Sequence, residues 1–439
     1  MQWLNKGLCV CGLVLALSSC AQNKELPQGE RISILDDFDS TLSVEASELS
    51  ALPAPMVNSF WMQNGMNASH IIGNLKADTT LKEVWRENFG RGISKRDILL
   101  SAPVVLNNRI FVMDAKGEVS AFNLENGTLL WENNLTAKSQ SVQDAKSKAS
   151  GLAVDNNLVF ATTGFGGIYA MDAITGKPKW RKVLESPIRI APLVIPGAVL
   201  VQTVDNKLYA LDKISGNELW RFGVAFEDTV IAGGATPCFD KEDNIVVAGF
   251  SNGEIVVLNA SIGTPLWTYS LVSNERVNST TELNTIGAYP IVENGTIYAI
   301  SNSNTMVALD IRTGDVIWKN DIGSMQNMLL AGDYLFLISN RNILYAVDKE
   351  DGNIMWSLDM RDFIASEDEI DGEVYASQPI MINGNILLAF SNGKMFKINA
   401  SKGKVIAKTD LEIDISNGVI IAKEKVIAVS DEADVIVFE

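Results

Sequence analysis

The chain has one histidine, His70, in 439 residues. That excludes metal sites built from clustered imidazoles and argues against a Ser-His-Asp triad, for which His70 is the one candidate base. Cysteine is also scarce. Cys9 and Cys11 lie in the first apolar stretch, Cys20 closes it, and Cys238 stands alone. Once that stretch is removed and Cys20 is used, no intramolecular disulfide can form. Cys238, after Pro237, reads as a small buried hydrophobe on an inner strand. Positive charge is short, 36 Lys and Arg against 53 Asp and Glu, and the net charge is −17 with no basic cluster. This argues against nucleic-acid binding and direct adsorption to anionic lipid. There is no phosphate loop: Gly164-Phe165-Gly166-Gly167 falls between two strands and reads as a turn. The densest acidic stretch, Asp362 to Glu373, holds six carboxylates but lacks the ligand order of a calcium loop, so it reads as a solvated loop.

What the chain does have is a repeat. Ala-x-Asp/Asn, three residues, Gly, three residues and Trp recurs, as in Ala121…Gly127…Trp131, Ala170…Gly176…Trp180 and Ala210…Gly216…Trp220. Val257…Gly263…Trp267, Ala308…Gly314…Trp318 and Ala346…Gly352…Trp356 follow, and a degenerate seventh copy ends in Gly403…Ala407. The tryptophans are 49, 40, 47, 51 and 38 residues apart, and Ala407 comes 51 later. A period of roughly 40–50 residues containing four short strands is the signature of a β-propeller. In the fifth unit Asn294-Gly295, Ser303-Asn304 and Thr313-Gly314 punctuate the four strands as hairpin turns. The motif residues are architectural on this reading. The Gly takes a positive φ, the Asp or Asn bonds turn amides, the Ala leaves room for a ring, and the Trp is buried between adjacent sheets.

The C-terminus supplies only three strands, Asn417 to Ala422, Lys425 to Ser430 and Asp434 to Phe438. An unpaired Trp85 sits upstream in Leu81 to Glu87, which reads as a lone fourth strand. Joining the two ends makes an eighth blade and leaves no long free edge. The expected fold is therefore all-β, an eight-bladed propeller of four-stranded antiparallel blades over residues 81–439, closed by its N- and C-terminal strands. Seven blades remain the alternative if the Trp85 strand only packs on the ring.

The N-terminus carries a second signal. Lys6 precedes the apolar run Leu8 to Leu17, which is too short to span a bilayer in a mature protein. It ends in Leu17-Ser18-Ser19-Cys20, which resembles a bacterial lipobox. That resemblance implies a lipoprotein signal over residues 1–19 and an acylated, lipid-bearing Cys20. An ordinary secretory peptide is the alternative. By analogy with enterobacterial sorting, Ala21 rather than Asp after the cysteine favours the outer membrane over the inner. Residues 20–57 read as an acidic flexible linker reaching roughly 30–35 Å, with spacing for a short amphipathic helix over Leu42 to Leu52. Residues 58–80 carry Phe60, Trp61, Met62, Ile71 and Ile72 and should pack on the propeller. His70 there reads as a packed or half-exposed imidazole.

Ala-x-Asp-x-x-Thr-Gly-x-x-x-Trp resembles the repeat of pyrroloquinoline-quinone propellers, and the resemblance covers about Leu81 to Glu439. Two branches share it. Quinoprotein dehydrogenases carry a vicinal cysteine pair, a Ca²⁺ site and a catalytic Asp in extra loops, and this chain has no such pair after Cys11 and no room for those insertions. The BamB family, lipoproteins of the outer-membrane β-barrel assembly machinery, are compact eight-bladed propellers without a cofactor. Asn67-x-x-His70-x-x-Gly73-Asn74-Leu75 is similar to the alphaproteobacterial form of that family. The resemblance implies a non-enzymatic scaffold, lipid-anchored to the outer membrane and facing the periplasm. It would bind a BamA-like protein and other subunits of the machinery, as a monomer within the complex, and aid insertion of β-barrel proteins. A quinone-dependent periplasmic oxidoreductase, or an anchored propeller for another envelope partner, are the alternatives.

Chain path selects a binding face. If strand one is innermost, the long connections Asn134 to Ser150, Gly223 to Gly234, Ser270 to Gly287 and Ser357 to Ser377 all lie between blades on one face, where function usually sits. In BamB proteins two such loops contact periplasmic domains of BamA, and the matching loops here are Thr229 to Pro237 and Thr281 to Pro290. The implied partner-binding residues are Thr229, Ile231, Ala232, Thr285 and Gly287. The family's charged contacts fall near Ala232, Thr285 and Gly287, none of which is charged. Ile231 keeps an apolar character, and capping the core between blades three and four is its alternative role.

Overall fold

The computed structural model describes residues 47–50, 52–78, 80–94, 101–135, 149–225, 235–272, 284–364 and 374–439. The lipid-anchor candidate Cys20, the loop residues Thr229, Ile231 and Ala232, and residues 365–373 of the acidic stretch lie outside them. The described chain is all-β, with one short helix at Arg361–Ile364. Its strands form eight blades of four antiparallel strands. Blade one is Val104–Leu106, Arg109–Met113, Glu118–Asn123 and Leu129–Asn134. The first strands of blades two to seven are Ala149–Asp155, Leu193–Ile195, Cys238–Asp240, Ile291–Glu293, Leu329–Ala331 and Ile380–Ile382. Their fourth strands are Pro178–Val183, Glu218–Gly223, Pro265–Ser270, Val316–Asn320, Ile354–Asp359 and Lys404–Asp410. Blade eight joins Val419–Ala422, Lys425–Val429 and Asp434–Phe438 to the N-terminal strand Glu83–Asn88.

That closure uses the chain ends directly. Trp85 pairs with Val437 and Asn88 with Asp434. Lys82 and Glu439 exchange both backbone bonds, at 2.7 and 2.9 Å. Strand order follows burial. First strands such as Leu193–Ile195 are buried throughout, whereas fourth strands such as Glu218–Gly223 are largely exposed. The first strand is therefore innermost, as hydrophobic content alone requires.

The tryptophans join neighbouring blades by one repeated contact. Each indole N–H donates to a carbonyl in the next blade's three-four turn: Trp131 to Ala173 at 3.1 Å, Trp220 to Ala260 at 2.9 Å, Trp356 to Ala400 at 3.0 Å. Each ring lies flat against that turn's glycine. A Cβ on Gly263 would stand 2.5 Å from Trp220, and Gly263 has φ of +70°, so two independent demands select glycine there. In blades one, two, five and six the motif alanine sits between two aromatic rings of its own blade. Ala121 pairs with Phe111 on one side and Trp131 on the other, and those rings meet at 5.9 Å across it. The motif Asp or Asn caps its turn, as Asp172 accepts from Ile174 and Thr175 N–H at 3.1 and 3.0 Å.

The degenerate seventh copy has a physical reason. Its Trp position, Ala407, faces blade eight, where the three-four turn is replaced by the two chain ends. With no turn glycine to dock on, a tryptophan there would have nowhere to be buried. Ala407 is exposed.

Residues 58–78 form a strap that visits all eight first strands in turn. Asn58 bonds Ile421 O at 2.7 Å in blade eight, Trp61 exchanges bonds with Val105 in blade one, and Met62 O accepts from Val154 in blade two. Gln63 Oε1 accepts from Val194 N–H, Ala68 O from Phe239 N–H, and Ser69 O from Val292 N–H, in blades three to five. Gly73 then donates to Leu330 O in blade six, and Asn74–Leu75 pairs in parallel with Met381–Ile382 of blade seven. The strap also bonds one-two turns: Asn58 O accepts from Lys423 N–H, Leu75 O from Asn383 N–H, and Glu424 O from Asp78 N–H. The strap therefore covers the face of the one-two turns and leaves the inter-blade loops on the other. It also begins earlier than the sequence reading places it. Residues 47–50, expected in the linker and within a short helix, carry no helix. Their backbone bonds to blades six and seven, and Leu49 is buried. The apolar spacing serves a ring contact: Leu49 and Leu52 both join the main core cluster.

Candidate functional site

The candidate interface is the loop face. Its floor is built by the two-three turns and by the residues entering each first strand. Over blades three to six these are tied into one chain of hydrogen bonds. Asn206 Oδ1 accepts from Ser251 Oγ at 2.8 Å, and Ser251 O accepts from Thr285 Oγ1 at 3.4 Å. Thr285 O accepts from Asn302 N–H at 3.0 Å, and Asn302 Oδ1 accepts from Asn340 Nδ2 at 2.9 Å. Asn340 Oδ1 in turn accepts from Met325 N–H at 3.0 Å. Each bond crosses between neighbouring blades or a blade and its connecting loop, so loops set here stand on a cross-braced base.

Thr285 and Gly287 are the two expected partner residues within the described chain. Thr285 is buried, with its hydroxyl turned into this relay, so it belongs to the floor. Gly287 is half-buried; a Cβ there would stand 2.3 Å from Met325 Cε. Between them Ile286 is fully buried and fills the space left by Gly249. The structure thus brings Thr285 and Gly287 together at the root of one loop. The relay itself was missed in the sequence. Its signal was the run of Ser, Thr and Asn in the two-three turns, such as Ser301-Asn302-Ser303-Asn304 and Ser339-Asn340-Arg341-Asn342. The apolar surface of this face was missed as well: Tyr375 is 60% exposed, with Val272, Phe363 and Phe165 less so.

Beneath the face, the ring's interior beside blades five to seven is occupied by the ring's own side chains and His70. Tyr289 donates its backbone N–H to Asn327 Oδ1 at 2.9 Å, and Gln378 Nε2 donates to the Tyr289 hydroxyl. These contacts run from blade five to blade seven across the inner end of blade six. The His70 ring, carried by the strap, packs on Tyr289 with centroids 4.0 Å apart, and its Nδ1 is 2.9 Å from Pro290 O. Burial lowers the His70 pKa from 6.5 to about 4, only partly offset by the Pro290 bond, so the ring is neutral and Nδ1–H donates. Burial pushes the Tyr289 hydroxyl up. It does the same to the Cys238 thiol, which sits fully buried on a first strand and is inert there. Among the described residues no three His, Cys, Asp or Glu side chains are grouped as metal ligands.

The family model described as outer membrane protein assembly factor BamB matches residues 75–149 and 115–358. BamB of Moranella endobia is 24% identical over 318 residues, 70% of this chain and 76% of its own. BamB of Yersinia pestis is 22% identical over 342 residues, 75% of this chain and 81% of its own. The solved structure of BamB from Moraxella catarrhalis superposes with a TM-score of 0.64 at 20% identity, over 82% of this chain and 98% of that one. A europium-containing methanol dehydrogenase gives 0.67 at 15% identity, over 85% of this chain and 89% of its own. The ring alone therefore does not separate an assembly factor from a dehydrogenase. The family match, which spans more than half of the sequence, does so: the chain belongs to the BamB family of outer-membrane protein assembly factors.

Proposed function

We propose that this propeller is a non-enzymatic scaffold subunit of the outer-membrane protein assembly complex. It is held at the periplasmic side of the outer membrane by a lipid on Cys20, and it docks periplasmic domains of a BamA-like protein through its inter-blade loops. The family match over residues 75–149 and 115–358 carries this reading. Three features of the molecule support it. The strap occupies one face and leaves the loop face to a partner. The hydrogen-bond relay braces the root of the second candidate loop at Thr285. The interior beside Tyr289 is taken by His70 and Gln378. Thr285 and Gly287 would act by shaping the second loop, and Thr229, Ile231 and Ala232 by contact from the first.

Ile231→Asp tests the docking role. Co-purification with the BamA-like protein should be lost while the melting temperature stays within a degree or two of wild type. A large fall in stability would make Ile231 a core residue. Retained binding with retained stability would remove this loop from the interface.

A further inference from the structure

The strap shows how an extended segment sits on the outside of this ring. Ser47 N–H donates to Met355 O at 2.9 Å and Leu49 N–H to Ser401 O at 3.0 Å. Met355 is the residue that a bulge in blade six leaves out of the ladder, since Trp356 faces Ala346 and Ile354 faces Val347. Ser401 lies in the three-four turn of blade seven. The segment therefore crosses the junction where Trp356 docks on Gly403. Leu49 is buried there, and Trp356 has no exposed surface, unlike the other six docking tryptophans.

The junction between blades three and four repeats this site, and among the described residues no segment crosses it. Its turn, Asn259-Ala260-Ser261-Ile262-Gly263, matches Asn399-Ala400-Ser401-Lys402-Gly403. Leu219 stands where Met355 does, left out by the same bulge between Trp220 opposite Ala210 and Glu218 opposite Leu211. Leu219 is 53% exposed and Ile262 62% exposed. Two differences say what would fill it. Lys402 pairs with Glu48 at 3.4 Å in the filled site, and Ile262 replaces that lysine at the junction of blades three and four. Tyr334, whose hydroxyl bonds Ser50 in the filled site, is replaced by Ala198.

We infer that the junction of blades three and four binds an extended segment of a partner polypeptide. The segment lies across Trp220 by main-chain bonds and one apolar side chain, as Leu49 does across Trp356. It carries an apolar residue, where the strap has Glu48, to meet Ile262. The site lies on the turn side of the ring, apart from the inter-blade loops, and stands whether or not the proposed docking role holds.

The probe is a fluorescent peptide copying residues 44–53 with Glu48→Leu, titrated by anisotropy against the full-length protein. Saturable binding is expected, and Leu219→Glu should weaken it by about tenfold or more, the loss of one apolar anchor. Ile406→Glu, at an equally exposed apolar residue beside the turnless blade-eight junction, should leave it unchanged. Both positions are exposed, so melting should not change. No saturable binding, or equal weakening by both variants, overturns the inference. Binding that appears only after deletion of residues 21–46 also overturns it, by making the chain's own N-terminal portion the occupant.

Discussion

Mild acidification, from about pH 6.5 to 5, should weaken this protein through a single side chain. His70 is fully buried, and its pKa falls from 6.5 to about 4. The unfolded chain therefore binds a proton below pH 6.5 that the folded chain refuses until about pH 4. The contribution to stability is complete above pH 6.5 and is lost progressively as the pH falls toward 4. Each pH unit in that window costs about 1.4 kcal/mol, so the drop from pH 6.5 to 5 amounts to ~2 kcal/mol. The turn carboxylates act in a lower window: Asp172, held near 2 by Lys179 and the Thr175 amide, loses its contribution only as the pH falls from its ordinary value of 3.8. With one histidine in the chain, the window above pH 5 belongs to His70. The assay compares urea unfolding at pH 7.5 and 5.0 for wild type and His70→Asn. Asparagine tolerates the φ of +61° that His70 adopts and carries no titrating proton. Wild type should lose ~2 kcal/mol more than the variant over this interval. Equal losses in both would refute the reasoning.

The ring should be as strong as its inter-blade contacts. Trp85→Ala removes the contact that carries closure into blade one, including the 3.0 Å bond to Leu124 O. Because Trp85 is only half-buried, the loss should be near the low end of its class, ~3 kcal/mol, read by urea unfolding; an unchanged midpoint would count against closure through this strand. Gly263→Ala drives a methyl into the Trp220 ring and should cost ~2 kcal/mol or more. Gly384→Ala, at the similar φ of +76° but in open space, should cost only the backbone term of ~1 kcal/mol. Cys20→Ser should release the propeller from the outer-membrane fraction as a soluble or uncleaved form; a variant that still fractionates with acylated lipoproteins would remove the anchor.

Much of the ring was legible in the sequence because its period is written in large residues at fixed offsets. The Trp, Gly and Asp positions specify a turn and the ring that docks on it, and the three-stranded C-terminus together with the orphan Trp85 called for closure. The strap was less legible. Its residues are apolar enough to predict packing, but its path depends on a few bonds to each of eight successive first strands, mostly from the main chain and from Asn58 and Gln63 side chains, and no periodic pattern encodes such a path. Residues 47–50 were misassigned because helical spacing over so short a run also suits an extended segment with one buried leucine. At the candidate site, chain order was enough to put the long connections on one face, since that follows from which strand is innermost. Thr285 was picked by position alone, and position does not say whether a hydroxyl faces a partner or the Ser251 carbonyl.

The central claim is that the loop face meets the BamA-like protein. The direct measurement is site-specific photocrosslinking in envelope fractions, with the crosslinker placed at Tyr375 or Ile231 on the loop side and at Ile214 on the turn side. A crosslink to the BamA-like protein from the loop side, absent from Ile214, is the expected result. Crosslinks to it from Ile214 alone, or from neither side, would contradict the account.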